Sequence, residues 1–395
     1  MKNEKWFLLI LAAVNFTHIV DFMIMMPLGP QLMRLFQISP QQFGFLVSAY
    51  TLSAGLSGFA GAFWIDRFDR KQALVYVYFG FLSGTTACAL APSYSLLLTA
   101  RILTGAFGGI LGAIVLSLVG DAIPEERRAA AMGIVMAAFS AASVLGIPLG
   151  LYLATLWSWH APFLGLALFG LPVLYLCANY VPSMKGHVSS VEPHRSPLKV
   201  VSSLTRNRNQ LFALSFMILL VLGQFTVVPY ISPYMVSNVG FSEHQLTYIY
   251  LLGGALTIFT SPRIGRWADR IGKPRVFMLF ALLTVIPLFL ITNMPKLALP
   301  LALVVTTLFF VCSSGRWIPA VAMITATVEP KNRGSFMSIN SSVQQLAAAF
   351  GATLSGLIII QDKNGQLLHY QYVGYIAIAA TLIAILLSGR LRTVS

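Results

Sequence analysis

The chain of 395 residues is 57% hydrophobic and only 10% charged, with a mean hydropathy of +0.78. A soluble domain carries about 25% charged residues, so the composition excludes a water-solvated globule and predicts a chain solvated by lipid. The net charge of +14 raises the question of a nucleic-acid partner, which only the placement of the charges decides.

Long apolar runs broken by short polar stretches predict twelve membrane helices of roughly 20 residues each. In chain order they fall at 6–27, 43–64, 73–91, 95–119, 131–154, 161–181, 210–231, 244–264, 275–293, 298–327, 335–360 and 371–389. The first run lacks a small-residue cleavage site and reads as an anchor, not a removed leader. With the N-terminus cytoplasmic, the C-terminus and the even-numbered loops share its face. Of 26 lysines and arginines, only Arg34, Lys296 and Lys363 then lie outside, and only Arg101 and Arg316 within spans away from their cytoplasmic ends. That asymmetry is the positive-inside signature, so the basic excess sets orientation and no nucleic-acid partner is expected. The expectation is a monomer in lipid, multi-pass in a bacterial-type inner (plasma) membrane, with both termini cytoplasmic.

Span 1 carries "NFTHIVDFMIMM", in which Asp21 is the only acid inside any span. His18 stands one turn earlier on the same face, and Asn15 three before that. Span 2 runs into "AFWIDRFDRK" (62–71), with Asp66, Arg67, Arg70 and Lys71. Span 4 holds Arg101 and leads to Asp121. Span 5 contains "GIPLG", where Gly146 and Gly150 allow close packing and Pro148 removes a backbone hydrogen bond; such kinks are also ordinary structure in membrane helices. The polar stretch 182–209 reads as a cytoplasmic linker between halves 1–181 and 210–395. Span 8 ends in "GRWADRIGKPR" (265–275), span 10 holds Arg316 and Trp317, and span 11 holds Asn340, Gln344 and Gln345. Cys88, Cys177 and Cys312 are unclustered and imply neither disulfide nor metal, only small apolar packing.

Three landmarks recur. Asp66 and Asp269 lie 203 positions apart, and so do "SPQQFG" at Ser39 and "SEHQLT" at Ser242. Both of the latter place Ser three residues before Gln, a capping-box helix start. "IPEERRAAAMGI" from Ile123 parallels "EPKNRGSFMSI" from Glu329 at an offset of 206. Shared landmarks in one order make an internal repeat. The fold class is therefore an all-α membrane protein, twelve transmembrane helices in two six-helix repeats.

Over essentially the whole chain these features resemble the major facilitator superfamily, whose hallmark loop is G-x-x-x-D-R-x-G-R-K. The second copy matches it through Gly265, Asp269, Arg270, Gly272 and Lys273. The first has Asp66, Arg67, Arg70 and Lys71, but Ala62 and Asp69 stand where glycines are usual. "GIPLG" is a loose copy of the antiporter signature of the drug:proton antiporter branch, which includes sugar-efflux-like members, and Arg101 with Gly105 resembles that branch's R-x-x-x-G. The resemblance implies alternating access, in which two half-domains rock around a central site. It also implies a proton gradient as energy source, no cofactor, and export.

On that reading the charged loops are latches at the cytoplasmic mouth. Asp66 faces a helix N-terminus, Arg67 or Arg70 reaches Asp121, and Asp269 with Arg270 repeats the device. The plainer alternative is that these residues only fix topology and turns. An ionisable group within a membrane marks function by default, so Asp21 is the candidate proton site. Arg101 is its counter-ion and His18 a relay partner, or a polar helix contact. Asp21 and Arg101 both lie roughly 9 Å below the outer edge of their spans, so they can pair; the alternative is a purely structural ion pair. At the 203 offset Asp21 maps onto Gln224.

Arg316 has no membrane acid in its own half. It is solvated by the cavity, paired across the halves, or left for substrate. Two arginines and one acid make the cavity net positive, which favours an anionic or polyhydroxylated solute over a cationic drug. Asn15, Tyr50, Gln224, Trp317, Asn340, Gln344 and Gln345 are candidate walls, or ordinary packing. No P-loop, HExxH or GxSxG is present, so no catalytic or metal residue is assigned and no enzyme is expected. The function expected is a proton-coupled secondary transporter exporting a small organic solute. The alternatives are proton-coupled import of an organic anion or carboxylate siderophore, and a non-transporting membrane sensor or assembly factor.

Overall fold

The computed structural model describes residues 4–64, 68–184, 207–329 and 333–394. The helices are α1 Glu4–Ile24, α2 Gly29–Phe36, α3 Pro40–Trp64, α4 Arg70–Ala89, α5 Tyr94–Ala122, α6 Glu125–Ala141, α7 Ile147–Leu156 and α8 His160–Tyr180. They continue with α9 Arg208–Phe225, α10 Val228–Tyr234, α11 Leu246–Ile271, α12 Lys273–Thr292, α13 Leu299–Thr325, α14 Arg333–Ile358 and α15 Tyr370–Ser388. A two-residue hairpin pairs Ile360–Gln361 with Leu367–Leu368. Among the described residues, nine helical stretches are long and apolar enough to cross a membrane. With the more polar α4, α11 and α14 they account for the twelve predicted spans.

The predicted first span of each repeat differs in one respect. Span 1 does not run to residue 27: α1 ends at Ile24, and the chain restarts as α2 with Pro30 in its first turn. Likewise α9 ends at Phe225, α10 begins at Val228, and a π-helical turn follows at Met235–Val239. Pro30 and Pro233 are repeat-mates at the 203 offset, so the broken first helix belongs to both repeats. Hydropathy hid the breaks because the residues across them are still apolar.

Both predicted capping boxes form. Gln42 N donates to Ser39 Oγ at 3.2 Å while Ser39 N donates to Gln42 Oε1 at 2.9 Å. The second box repeats this with Gln245 and Ser242, at 3.3 and 2.9 Å. The predicted kink at Pro148 takes the form of a π-helical turn, Ala142–Gly146, which lengthens the backbone ring just before the proline.

The chain forms two compact units. The first holds the described residues of 1–25 and 49–196, the second those of 26–48 and 197–395. In the first, α4 packs on α5 and α8, and α1 on α6, around a core that includes Leu11, Val14, Tyr78, Leu111, Leu118 and Cys177. In the second, α13 packs on α11 and α12, and α9 on α14 and α15. Large apolar side chains such as Phe79, Leu149, Leu301 and Leu386 point outward; they are solvated by hydrocarbon in a chain whose backbone bonds are satisfied within helices.

Candidate functional site

In the first unit, Asp21 from α1, Thr85 from α4 and Arg101 from α5 meet with at most 1% of any of them exposed. Arg101 Nη1 donates to Asp21 Oδ2 at 2.8 Å and to the Asp21 carbonyl at 3.3 Å. Thr85 Oγ1 donates to Asp21 Oδ1 at 3.0 Å. Both carboxylate oxygens are thus engaged, as a buried charge requires. The guanidinium also lies over the Tyr50 ring, 4.5 Å from its centre, a cation–π contact strengthened by desolvation. Phe22 stacks on the same tyrosine at 5.2 Å.

Small residues make this approach possible. A Cβ on Gly105 would sit 2.3 Å from the Tyr50 carbonyl oxygen, and one on Gly109 2.0 Å from that of Ala54. The pair is a small-xxx-small stripe that lets α5 and α3 touch backbone to backbone. A third contact comes from the "GIPLG" segment: Cβ atoms on Gly146 and Gly150 would meet Val20 at 2.3 Å and Ile24 at 2.8 Å. These glycines seat the segment against one face of α1, at Val20 and Ile24, one turn apart.

His18 is buried, with both ring nitrogens lacking a hydrogen-bond partner, and so is the Tyr50 hydroxyl. The two rings are 6.4 Å apart, and a Cβ on Gly108 would touch both. Asn15 is turned instead to α6, donating to the Val135 carbonyl at 3.2 Å.

In the second unit, Arg316 on α13 is fully buried. Its Nη1 donates to Thr381 Oγ1 at 2.8 Å and its Nη2 to Gln224 Oε1 at 3.4 Å, while Nε has no partner. No carboxylate pairs with it among the described residues. Asn340 is fully buried with neither amide atom bonded. Trp317 and Gln344 are half-buried. The structure brings Gln224 to Arg316; among the described residues neither the Trp317 nor the Gln344 side chain makes a hydrogen bond.

The two charged loops fold differently. In the first, Arg70 Nε donates to Asp121 Oδ2 at 3.1 Å; Asp66 and Arg67 lie outside the described residues. In the second, α11 runs on through Asp269 and Arg270 to Ile271, and both charges are exposed with no ion pair among the described residues. Gly272 then turns the chain at φ 107°, ψ 132°, a conformation that only glycine adopts without strain. Its repeat-mate Asp69 has φ −55° and caps α4 through Lys71 N at 2.9 Å.

The sequence reading missed Thr85, Thr381 and Asp69. The threonines gave no signal beyond a hydroxyl in an apolar helix. Gly109 was legible as the second member of Gly105-x-x-x-Gly109. Among the described residues no group of three or more His, Cys, Asp or Glu could hold a metal ion.

The sequence pattern of the Major Facilitator Superfamily matches residues 11–228 and again 213–395. The chain is 25% identical over 388 residues to the uncharacterized MFS-type transporter YbcL of Bacillus subtilis, covering 98% of this chain and 96% of that one. It is 23% identical over 383 residues to Multidrug resistance protein 2 of the same organism, covering 94% and 92%. The crystal structure of a D-xylose-proton symporter has the same fold, with a TM-score of 0.77, 16% identity and coverage of 96% of each chain.

Proposed function

This chain belongs to the Major Facilitator Superfamily and is a secondary transporter, and we propose that it couples a proton to the export of a small anionic or polyhydroxylated solute. The observation that carries the proton coupling is the buried Asp21, held by Arg101 and Thr85, against its neutral repeat-mate Gln224. A position needed only for packing has no use for a titratable group. Arg101 is the counter-ion that would be released when Asp21 takes a proton. His18, buried with two free nitrogens, is the relay partner.

The substrate class rests on Arg316. Among the described residues its guanidinium is met only by a hydroxyl and an amide oxygen, so its charge is left for an anionic or hydroxyl-rich solute. The direction rests on the "GIPLG" segment and its packing against α1. Latching at the cytoplasmic mouth is assigned to Arg70 with Asp121 and to Asp269 with Arg270. We place the protein in a bacterial-type inner membrane with both termini cytoplasmic, from the one-sided basic residues.

Thermal-shift screening of purified protein against organic anions, sugars and lipophilic cations tests the reading. Stabilisation by anions or sugars, followed by solute-dependent proton movement in proteoliposomes, supports it. Stabilisation by lipophilic cations alone refutes the substrate assignment, and solute flux without proton movement refutes the coupling.

A further inference from the structure

Asp69 stands where the repeated loop has a glycine, and it does more than cap a helix. It is buried to 6% exposure, and three donors converge on its carboxylate. Oδ1 accepts from Lys71 N at 2.9 Å and from Met184 N at 3.1 Å; Oδ2 accepts from Ser183 Oγ. A backbone bond from Arg70 N to the Met184 carbonyl, 3.4 Å, closes the same junction. Ser183 and Met184 lie three and four residues past the end of α8 at Tyr180 and stand at the start of the stretch that joins the two repeats. Beside them Arg70 is nearly buried and reaches Asp121. At the repeat-mate position Gly272 has no side chain to offer.

We propose that Asp69 is a positioning residue that ties the entry of the inter-repeat linker to the Arg70–Asp121 ion pair, so that the first latch and the linker release together. The inference rests on the reading of that ion pair as a latch. The physical case is one of shared atoms. Arg70 N and Arg70 Nε belong to one residue, and the backbone bond to Met184 fixes the start of α4 from which the guanidinium projects. Undocking residues 183–184 frees that start, and the ion pair loses the fixed geometry that gives a charge-assisted bond its strength.

The test uses the full chain in lipid nanodiscs and needs no solute. A cysteine replacing Met184 reports linker docking through its rate of maleimide alkylation. Spin labels at Gln72 and at Gly120, where an added side chain meets open space, report the spacing of α4 and α5 beside the ion pair. Asp69→Gly should speed alkylation about tenfold and broaden the label distances. Asp69→Ser keeps the α4 cap but cannot reach the linker, and it should behave like the glycine variant. Asp69→Asn, which still offers an oxygen to both backbone N–H groups, should behave like wild type. A serine variant that matches wild type in both readouts reduces Asp69 to a helix cap and overturns the proposal. So does faster alkylation with unchanged distances. Asp121→Asn tests the latch separately: if it leaves the distances unchanged, the latch reading fails while the linker contact can still be scored by alkylation.

Discussion

Asp21 and Gln224 hold the same position in the two repeats, and each accepts a hydrogen bond from a buried arginine, Arg101 at 2.8 Å and Arg316 at 3.4 Å. The arginines themselves are not repeat-mates: Arg101 lies near the start of α5 and Arg316 well along α13. One repeat thus carries a neutralised pair and the other a cation met, among the described residues, only by neutral oxygens. Proton binding at Asp21 would make the first site resemble the second.

Asp21→Asn should abolish solute-dependent proton movement while the protein still folds. Asparagine retains an oxygen for Arg101, whereas truncation to alanine strands a buried guanidinium, a change that costs about 3–5 kcal/mol. The alanine variant should therefore show a clear loss of thermal stability and the asparagine variant little. Proton-coupled flux at wild-type rate in the asparagine variant would remove Asp21 from the coupling role.

The glycine stripe predicts a sharp contrast along one helix. In Gly105→Ala the new methyl meets the Tyr50 backbone, which cannot swing away as a side chain would, and overpacking of this kind costs about 1–3 kcal/mol. Gly112 has open space around it, so Gly112→Ala should be neutral or gain up to about 1 kcal/mol of helix propensity. Thermal unfolding of the two variants in one detergent decides; equal midpoints would mean that α3 and α5 have slack between them.

Much of this is legible in the sequence. Apolar run length placed the spans, the Ser39-x-x-Gln42 box placed the start of α3 and its counterpart at Ser242 the turn that leads into α11, and a lone membrane acid pointed to Asp21. Depth counting from the ends of the spans made an Asp21–Arg101 contact feasible, and the two residues do meet. What stayed hidden has a common cause. The breaks after Ile24 and Phe225 occur in apolar sequence, and hydropathy does not sense backbone hydrogen bonds. Thr85, Thr381 and Asp69 act through contacts with distant parts of the chain, which a single sequence does not encode locally. Asp69 stood out only as a departure from the family pattern, with no sign of what replaced the glycine.

The two loops should respond differently to loss of charge. Arg70 and Asp121 are paired in this state, so Asp121→Asn should weaken the state and shift spin-label distances across the cytoplasmic side. Asp269 has no ion pair among the described residues, so Asp269→Asn should leave this state's distances near wild type and slow turnover by weakening the alternative state. A variant changes a two-state balance only through contacts that differ between the states. Wild-type distances and turnover in both variants would leave the loops as topology signals only.

Arg316 is expected to be the charge anchor for solute. Leaving a guanidinium at mid-membrane costs at least about 2.5–3.5 kcal/mol unless water, an acid or a ligand meets it. Thr381 and Gln224 supply neutral acceptors to two of its nitrogens and leave Nε unbonded. A charge-assisted hydrogen bond to an anionic solute is worth about 1.5–3 kcal/mol, so Arg316→Gln should weaken binding by about one to two orders of magnitude. Arg316→Lys should recover only part of the loss, because an ammonium lacks the planar fork that can hold Thr381, Gln224 and a ligand at once. The loss should be confined to anionic solutes and should spare proton binding at Asp21, which lies in the other compact unit. Calorimetric titration of wild type and both variants with the anion found by thermal shift provides the measurement. A glutamine variant that binds as tightly as wild type would make Arg316 a strut between α9, α13 and α15, held there by Gln224 and Thr381.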